Sequence, residues 1–167
     1  MLVESITTMF KVPSKHDHVS SWAKHKDTIL SSLESDLDFS MSSVTPYTTS
    51  YSDKNLDKFQ QFFDLIQGYI DGRKIVECWY QTYHKGEFHG LHNHGPLGWS
   101  AVFYAKLSKG HRGTTFYSPF PDTNGNLIDY TPHVREGDLI IFPSYLSHCF
   151  DPSNIDEERA VIAFNMR

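Results

Sequence analysis

Gly137-Asp138-Leu139-Ile140-Ile141-Phe142-Pro143-Ser144-Tyr145-Leu146-Ser147-His148 carries the most information about the fold. Glu136-Gly137 is a tight-turn signal, the run that follows is strongly β-prone, and Pro143, which cannot donate to a sheet ladder, stops the strand. His148 is thereby delivered just past a rim, where barrel sites tend to open. Similar short β-prone runs lie at 75–83, 99–107, 114–117, 128–134 and 158–165. Lys109-Gly110 and Asn124-Gly125 mark further turns between them.

Upstream of Lys74 the character differs. Residues 2–12 read as a strand ending at Pro13. Val19, Trp22, Ala23, Ile29, Leu30 and Leu33 fall on one face of a helix from about 19 to 33. A Ser- and Thr-rich stretch, 40–53, reads as a loop. Asp53 can cap a second helix in which Leu56, Phe59, Phe63, Ile66 and Ile70 recur at helical spacing, with Gly72 just beyond its end. Helices in front and closely spaced strands behind predict an α+β, mainly β architecture, with N-terminal helices buttressing an antiparallel sandwich or barrel. The length suits one domain, 1–167, with a core large enough to stand without staples.

Charge narrows the function. With 15 Lys and Arg against 20 Asp and Glu the net charge is −5, and no basic run exceeds a dipeptide, so nucleic acid is not the expected partner. No apolar stretch is long enough for a membrane span, and Met1-Leu2-Val3-Glu4-Ser5 lacks a signal-peptide pattern, so a cytoplasmic location is expected. Cys78 and Cys149 are then expected to be free thiols.

Three of the ten histidines, His89, His92 and His94, lie within six residues of one another. On a strand, residues two apart share a face, so His92 and His94 can both point inward while His89 falls out of register. His148, from a strand distant in sequence, supplies a third imidazole. Such a set suits iron, copper, nickel or zinc. Trp79, Trp99, Phe103, Phe116 and Phe142 are available to line an apolar cavity around it.

Gly86 five residues before His92-Asn93-His94, and Gly137 five residues before Pro143 with His148 beyond, resemble the two metal motifs of the cupins. The cupin glutamate is missing from Gly95-Pro96-Leu97-Gly98-Trp99, and Tyr145 and Pro152 replace two residues of the second motif. A resemblance that runs over nearly the whole chain is to a family of 2-oxoglutarate-Fe(II) oxygenases of bacteria and their phages. It is carried by Met9-Phe10-Lys11-Val12-Pro13, Cys78-Trp79-Tyr80-Gln81, His92-Asn93-His94-Gly95-Pro96 and Ser100-Ala101-Val102-Phe103-Tyr104. Glu136 to Ser144 with His148, and Glu158-Arg159 with Phe164-Asn165, complete it.

This resemblance implies a double-stranded β-helix (jelly-roll) core and an enzyme that uses Fe(II), 2-oxoglutarate and O2. The implied iron ligands are His92, His94 and His148, and the implied co-substrate residues are Arg159, Tyr83 and Gln81. His94 stands where the superfamily usually has a carboxylate, so either a three-histidine centre operates or another group completes the shell. Val161 and Ala163 replace hydroxyl residues often found beside the arginine. Two alternatives stay open at this point: a cupin-type three-histidine dioxygenase without 2-oxoglutarate, and a non-catalytic metal- or ligand-binding jelly-roll module. The expected substrate is a small molecule or a protein side chain, with loops 40–53 and 109–128 deciding which; the sequence is silent on oligomeric state.

Overall fold

The computed structural model describes residues 12–34 and 56–167. Among them the chain forms β1 (Lys15–His18), α1 (Trp22–Glu34), a 3-10 turn (Leu56–Phe59) leading into α2 (Gln60–Ile66), then β2 (Ile75–Tyr83) and β3 (His89–His92). β4 (Trp99–Lys106), β5 (Thr115–Tyr117), β6 (Asp129–Tyr130), β7 (Asp138–Pro143), β8 (His148–Phe150) and β9 (Arg159–Met166) follow. Two antiparallel sheets result, ordered β1-β7-β4-β9-β2 and β3-β8-β5-β6. None of the described helices is long and apolar enough to cross a membrane.

The larger sheet is buried on both faces, and its period-two alternation assigns each face a different core. Ala101, Phe103 and Ala105 of β4, Leu139 and Ile141 of β7, and Ala160, Ile162 and Phe164 of β9 face the helices. There they meet Trp22, Ile29, Leu30, Leu33, Phe59, Phe62 and Ile66. The alanines leave room for aromatic contacts: Phe103 meets Trp22 edge-on at 4.7 Å and Phe62 at 5.1 Å. Val102, Tyr104, Ile140, Phe142, Val161 and Tyr83 point the other way, toward Phe116 and Phe150 of the second sheet.

Strands β2, β4, β5, β7 and β9 fall within a residue or so of their predicted positions. The run at 128–134 contracts to the two-residue β6. The second helix is shorter than its periodicity predicts, because Leu56–Phe59 winds as a 3-10 turn and residues 67–70 form turns. The strand at 2–12, the loop at 40–53 and the Asp53 cap lie outside the described residues. Strand β1 was not anticipated, and β3 and β8 were assumed as carriers of His92 and His148 without being among the runs that the pattern located.

β1 is fastened to β7 through one buried carboxylate. Asp138 accepts hydrogen bonds from His16 Nε2 (3.0 Å), His18 Nδ1 (2.7 Å) and the Arg135 backbone N–H (3.0 Å). Burial alone would raise its pKa, but these donors outweigh burial and hold the carboxyl below its ordinary value. A depressed folded-state pKa adds stability above the unfolded value of about 3.9 and loses it as pH falls through the folded one. Asp138→Asn is therefore expected to melt earlier at pH 7, at a cost of about 1–3 kcal/mol, with the gap to wild type closing below about pH 4. Thermal melts of both proteins across pH check this.

Candidate metal centre

His92 closes β3 and pairs in register with His148, the first residue of β8. Their ring centroids lie 4.3 Å apart. The chain leaves the larger sheet after Pro143, turns through 144–147 and enters the smaller sheet at His148, so this histidine sits on a strand and not merely beyond one.

His94 reaches the same place by another route. β3 ends at His92, so strand parity, which predicted an inward His94, does not place it. A loop does. Asn93 Oδ1 accepts the Gly95 N–H (3.1 Å), and the His94 N–H donates to the Ser144 carbonyl (2.8 Å). The His94 ring then stacks on His148 (5.1 Å, 6°) and on Trp79 (5.3 Å, 15°).

One ligating atom from each of His92, His94 and His148 lies within 4.8 Å of the other two. His92 Nδ1 donates to the Gly90 carbonyl (2.7 Å) and His148 Nδ1 to the Leu146 carbonyl (2.9 Å). A carbonyl can only accept, so these protons sit on Nδ1 and each Nε2 keeps its lone pair for a metal. Burial, reinforced by repulsion from His92, pulls His148 down to about 3 and His94 to about 4. Both are neutral at neutral pH, the form that ligates.

His89, expected to be out of register, lines the same cavity. Its ring stacks on His92 at 4.1 Å and 14°, with Nδ1 3.2 Å from Tyr83 Oη. The β3–β8 ladder shifts register between His89 and His92, and such an irregularity lets residues three apart share a side. Counting by twos cannot detect it.

Deeper in the cavity lies Arg159, 1% exposed, opposite Tyr83 in the β2–β9 ladder. Its guanidinium carbon is 3.8 Å from the Phe150 ring centroid and 4.8 Å from that of Tyr83. The surface pairing with Glu157 or Glu158 that would make it merely structural does not form; Glu158 pairs with Lys106 instead (2.8 Å). Among the described residues, Arg159 Nε and Nη1 have no hydrogen-bond partner. Burial lowers its pKa, against the pull of Tyr83 and Tyr104, yet a guanidinium stays charged in proteins. A buried, unmatched cation costs several kcal/mol, roughly, so this cavity suits an anion.

Gln81 and Tyr83 line that cavity together, as their shared strand face predicts, and Tyr83 Oη donates to Gln81 Oε1 (3.0 Å). Of the five aromatics expected around the site, Trp79 and Phe142 border it. Phe103 faces the helices by parity, and Trp99 packs at the edge of that helical core. Phe116 packs on Phe142 (4.8 Å) and lines a neighbouring cavity.

Two packed antiparallel sheets with a cluster of imidazoles at one end are the layout of a jelly roll, or double-stranded β-helix. The solved structures that this chain resembles agree. A Pseudomonas putida prolyl-4-hydroxylase is 16% identical with a TM-score of 0.60, covering 100% of this chain and 98% of that one. HygX from Streptomyces hygroscopicus, with nickel and 2-oxoglutarate bound, is 14% identical with a TM-score of 0.68, covering 98% and 85%. An oxidoreductase of the 2OG-Fe(II) oxygenase family from Burkholderia pseudomallei is 12% identical with a TM-score of 0.67, covering 99% and 89%. At these identities the likeness establishes the fold.

The family follows from the sequence itself. Residues 77–165 match the family described as "Putative 2OG-Fe(II) oxygenase", and the chain belongs to it: it is an Fe(II)/2-oxoglutarate-dependent oxygenase, using Fe(II), 2-oxoglutarate and O2. No curated protein sequence matches the chain.

Proposed function

We propose that His92, His94 and His148 hold the iron, that Arg159 receives the distal carboxylate of 2-oxoglutarate with Tyr83 and Gln81 beside it, and that the product is a hydroxylated small molecule or protein side chain. The observation that carries this reading is the buried Arg159 guanidinium, whose Nε and Nη1 lack a partner among the described residues, in the same cavity as the imidazole cluster. A fixed planar fork suits a carboxylate bidentately, and three imidazoles on one side suit iron while leaving positions for other ligands.

When bound, iron(II) with 2-oxoglutarate and dioxygen supplies oxidative decarboxylation of the co-substrate coupled to oxygen insertion into a C–H bond. The chain orients and shields. The bonds from His92 and His148 to backbone carbonyls fix the ring tautomers and aim each Nε2. Val102, Val161, Ala163, Phe142 and Phe150 give the cavity apolar walls that exclude water, with small residues where a co-substrate must fit. Anaerobic titration of the iron(II) protein with 2-oxoglutarate tests the reading. A metal-to-ligand charge-transfer band is expected, and its absence at saturating co-substrate would overturn it.

His94 gives a sharper check. His94→Asp is expected to retain iron, since carboxylate oxygen and imidazole nitrogen both serve this metal. His94→Ala should bind iron at least about 10- to 100-fold more weakly, the loss typical even of an outer partner. Wild-type iron content in His94→Ala, with turnover alone impaired, would make His94 a substrate contact instead.

A further inference from the structure

Four polar side chains form a line across the inner face of the larger sheet, at the end that holds His94. Glu77 stands on β2, on the same face as Trp79, Gln81 and Tyr83. Asn165 lies opposite it on β9, Ser100 opposite Asn165 on β4, and Ser144 just beyond β7. Ser100, Ser144 and Asn165 come from three sequence motifs far apart in the chain, and none of their side chains has a role in the site so far described. Ser100 and Ser144 are almost wholly buried.

The proton directions along the line follow from what each group can do. The Glu77 carboxylate accepts from Asn165 Nδ2 (2.7 Å), which turns Asn165 Oδ1 toward Ser100. Ser100 donates its single hydroxyl proton to that oxygen (2.7 Å), so in its contact with Ser144 Oγ (2.9 Å) it must accept. Every proton therefore points toward Glu77, and no member can rotate without breaking one of these bonds, two of which are made by the buried Ser100 hydroxyl.

The far end of the line grips the His94 loop. The Ser144 carbonyl accepts the His94 N–H (2.8 Å), and the Ser144 N–H donates to the Gly98 carbonyl (3.1 Å). Gly98, at φ +96°, seats the loop against β9 so closely that a Cβ there would lie 2.7 Å from the Met166 carbonyl oxygen.

We infer that the Ser144–Ser100–Asn165–Glu77 chain is a positioning device for His94. It replaces the strand pairing that holds His92 and His148 but that His94 lacks. The inference rests on the reading of His94 as a metal ligand. Because metal ligands are held by outer partners whose loss costs about 10- to 100-fold in affinity, the chain should be visible in metal binding itself.

The test is titration of the apo-protein with Co(II), read by its d–d absorption bands, which report the geometry of the shell. Ser100→Ala and Asn165→Ala are expected to weaken Co(II) binding by about 10- to 100-fold and to alter the bands. Glu77→Ala, at the exposed end, should do so to a smaller extent, and Glu77→Gln, whose amide oxygen can still accept from Asn165, should restore wild-type behaviour. His94→Ala is titrated alongside. If His94→Ala binds Co(II) like wild type, the ligand reading fails. If His94→Ala loses Co(II) while Ser100→Ala and Asn165→Ala keep wild-type affinity and bands, whatever their melting temperatures, the positioning role alone is overturned. Should Ser100→Ala and Asn165→Ala not fold, the exposed pair decides: Glu77→Ala indistinguishable from wild type in affinity and spectrum overturns it.

Discussion

His148→Ala and His92→Ala are each expected to abolish iron binding while the chain keeps its fold. Each removes one of the three imidazoles proposed to hold the iron, while the backbone pairing of β3 with β8 needs neither ring. The core does not depend on the site, because the helix-facing half of the larger sheet buries its own cluster from Val19 to Met166 without using either histidine. Truncating His148 does open space beside Phe142, whose ring lies 4.9 Å away, so a modest drop in melting temperature accompanies the loss. Metal content after anaerobic reconstitution, with far-UV circular dichroism as the folding control, measures both. His84→Ala is the matched control: its ring lies near Glu158 on the outer side and should leave iron unchanged. Stoichiometric iron in either His148→Ala or His92→Ala would remove the proposed site.

What the sequence revealed and what it hid divide along a physical line. Strands β2, β4, β7 and β9 were legible because each runs at least six residues and is buried on both sides, so hydrophobic runs, turn signals and parity all agree. Arg159, Tyr83 and Gln81 were picked out by the family resemblance, and strand parity added only that Gln81 and Tyr83 share a face. β3 and β8 are four and three residues long, too short for periodicity to register, and they are the strands that carry His92 and His148. His94 was expected in the right place on the wrong ground: it is inside because a loop is fastened to Ser144. His89 was misplaced because a ladder irregularity leaves no mark in residue types. The polar line from Glu77 to Ser144 was invisible in principle, since its members are up to 88 residues apart and only register brings them together.

Arg159→Leu is expected to move stability and co-substrate binding in opposite directions. In the wild type a buried guanidinium with two unpartnered nitrogens is carried at a desolvation cost of several kcal/mol, approximately, and the surrounding rings of Phe150, Tyr83 and Tyr104 offset only part of it. Leucine fills much of that apolar space without the charge, so the variant should melt at a higher temperature than wild type in the absence of 2-oxoglutarate. With 2-oxoglutarate the order reverses. Removing one member of a buried, charge-assisted carboxylate pair costs about 2–5 kcal/mol, or roughly 30- to several-thousand-fold in affinity. At a concentration about 100 times its Kd the co-substrate raises wild-type stability by about 2.7 kcal/mol, and that increment should vanish in the variant. Melting curves of the apo and Fe(II)-loaded proteins with and without 2-oxoglutarate, beside the KM for 2-oxoglutarate in oxygen-consumption assays, separate the two effects. If Arg159→Leu is less stable than wild type without co-substrate and responds to it normally, the arginine is a structural element of the β2–β9 ladder. The anion must then be held elsewhere in the cavity, by groups such as Tyr83 and His89.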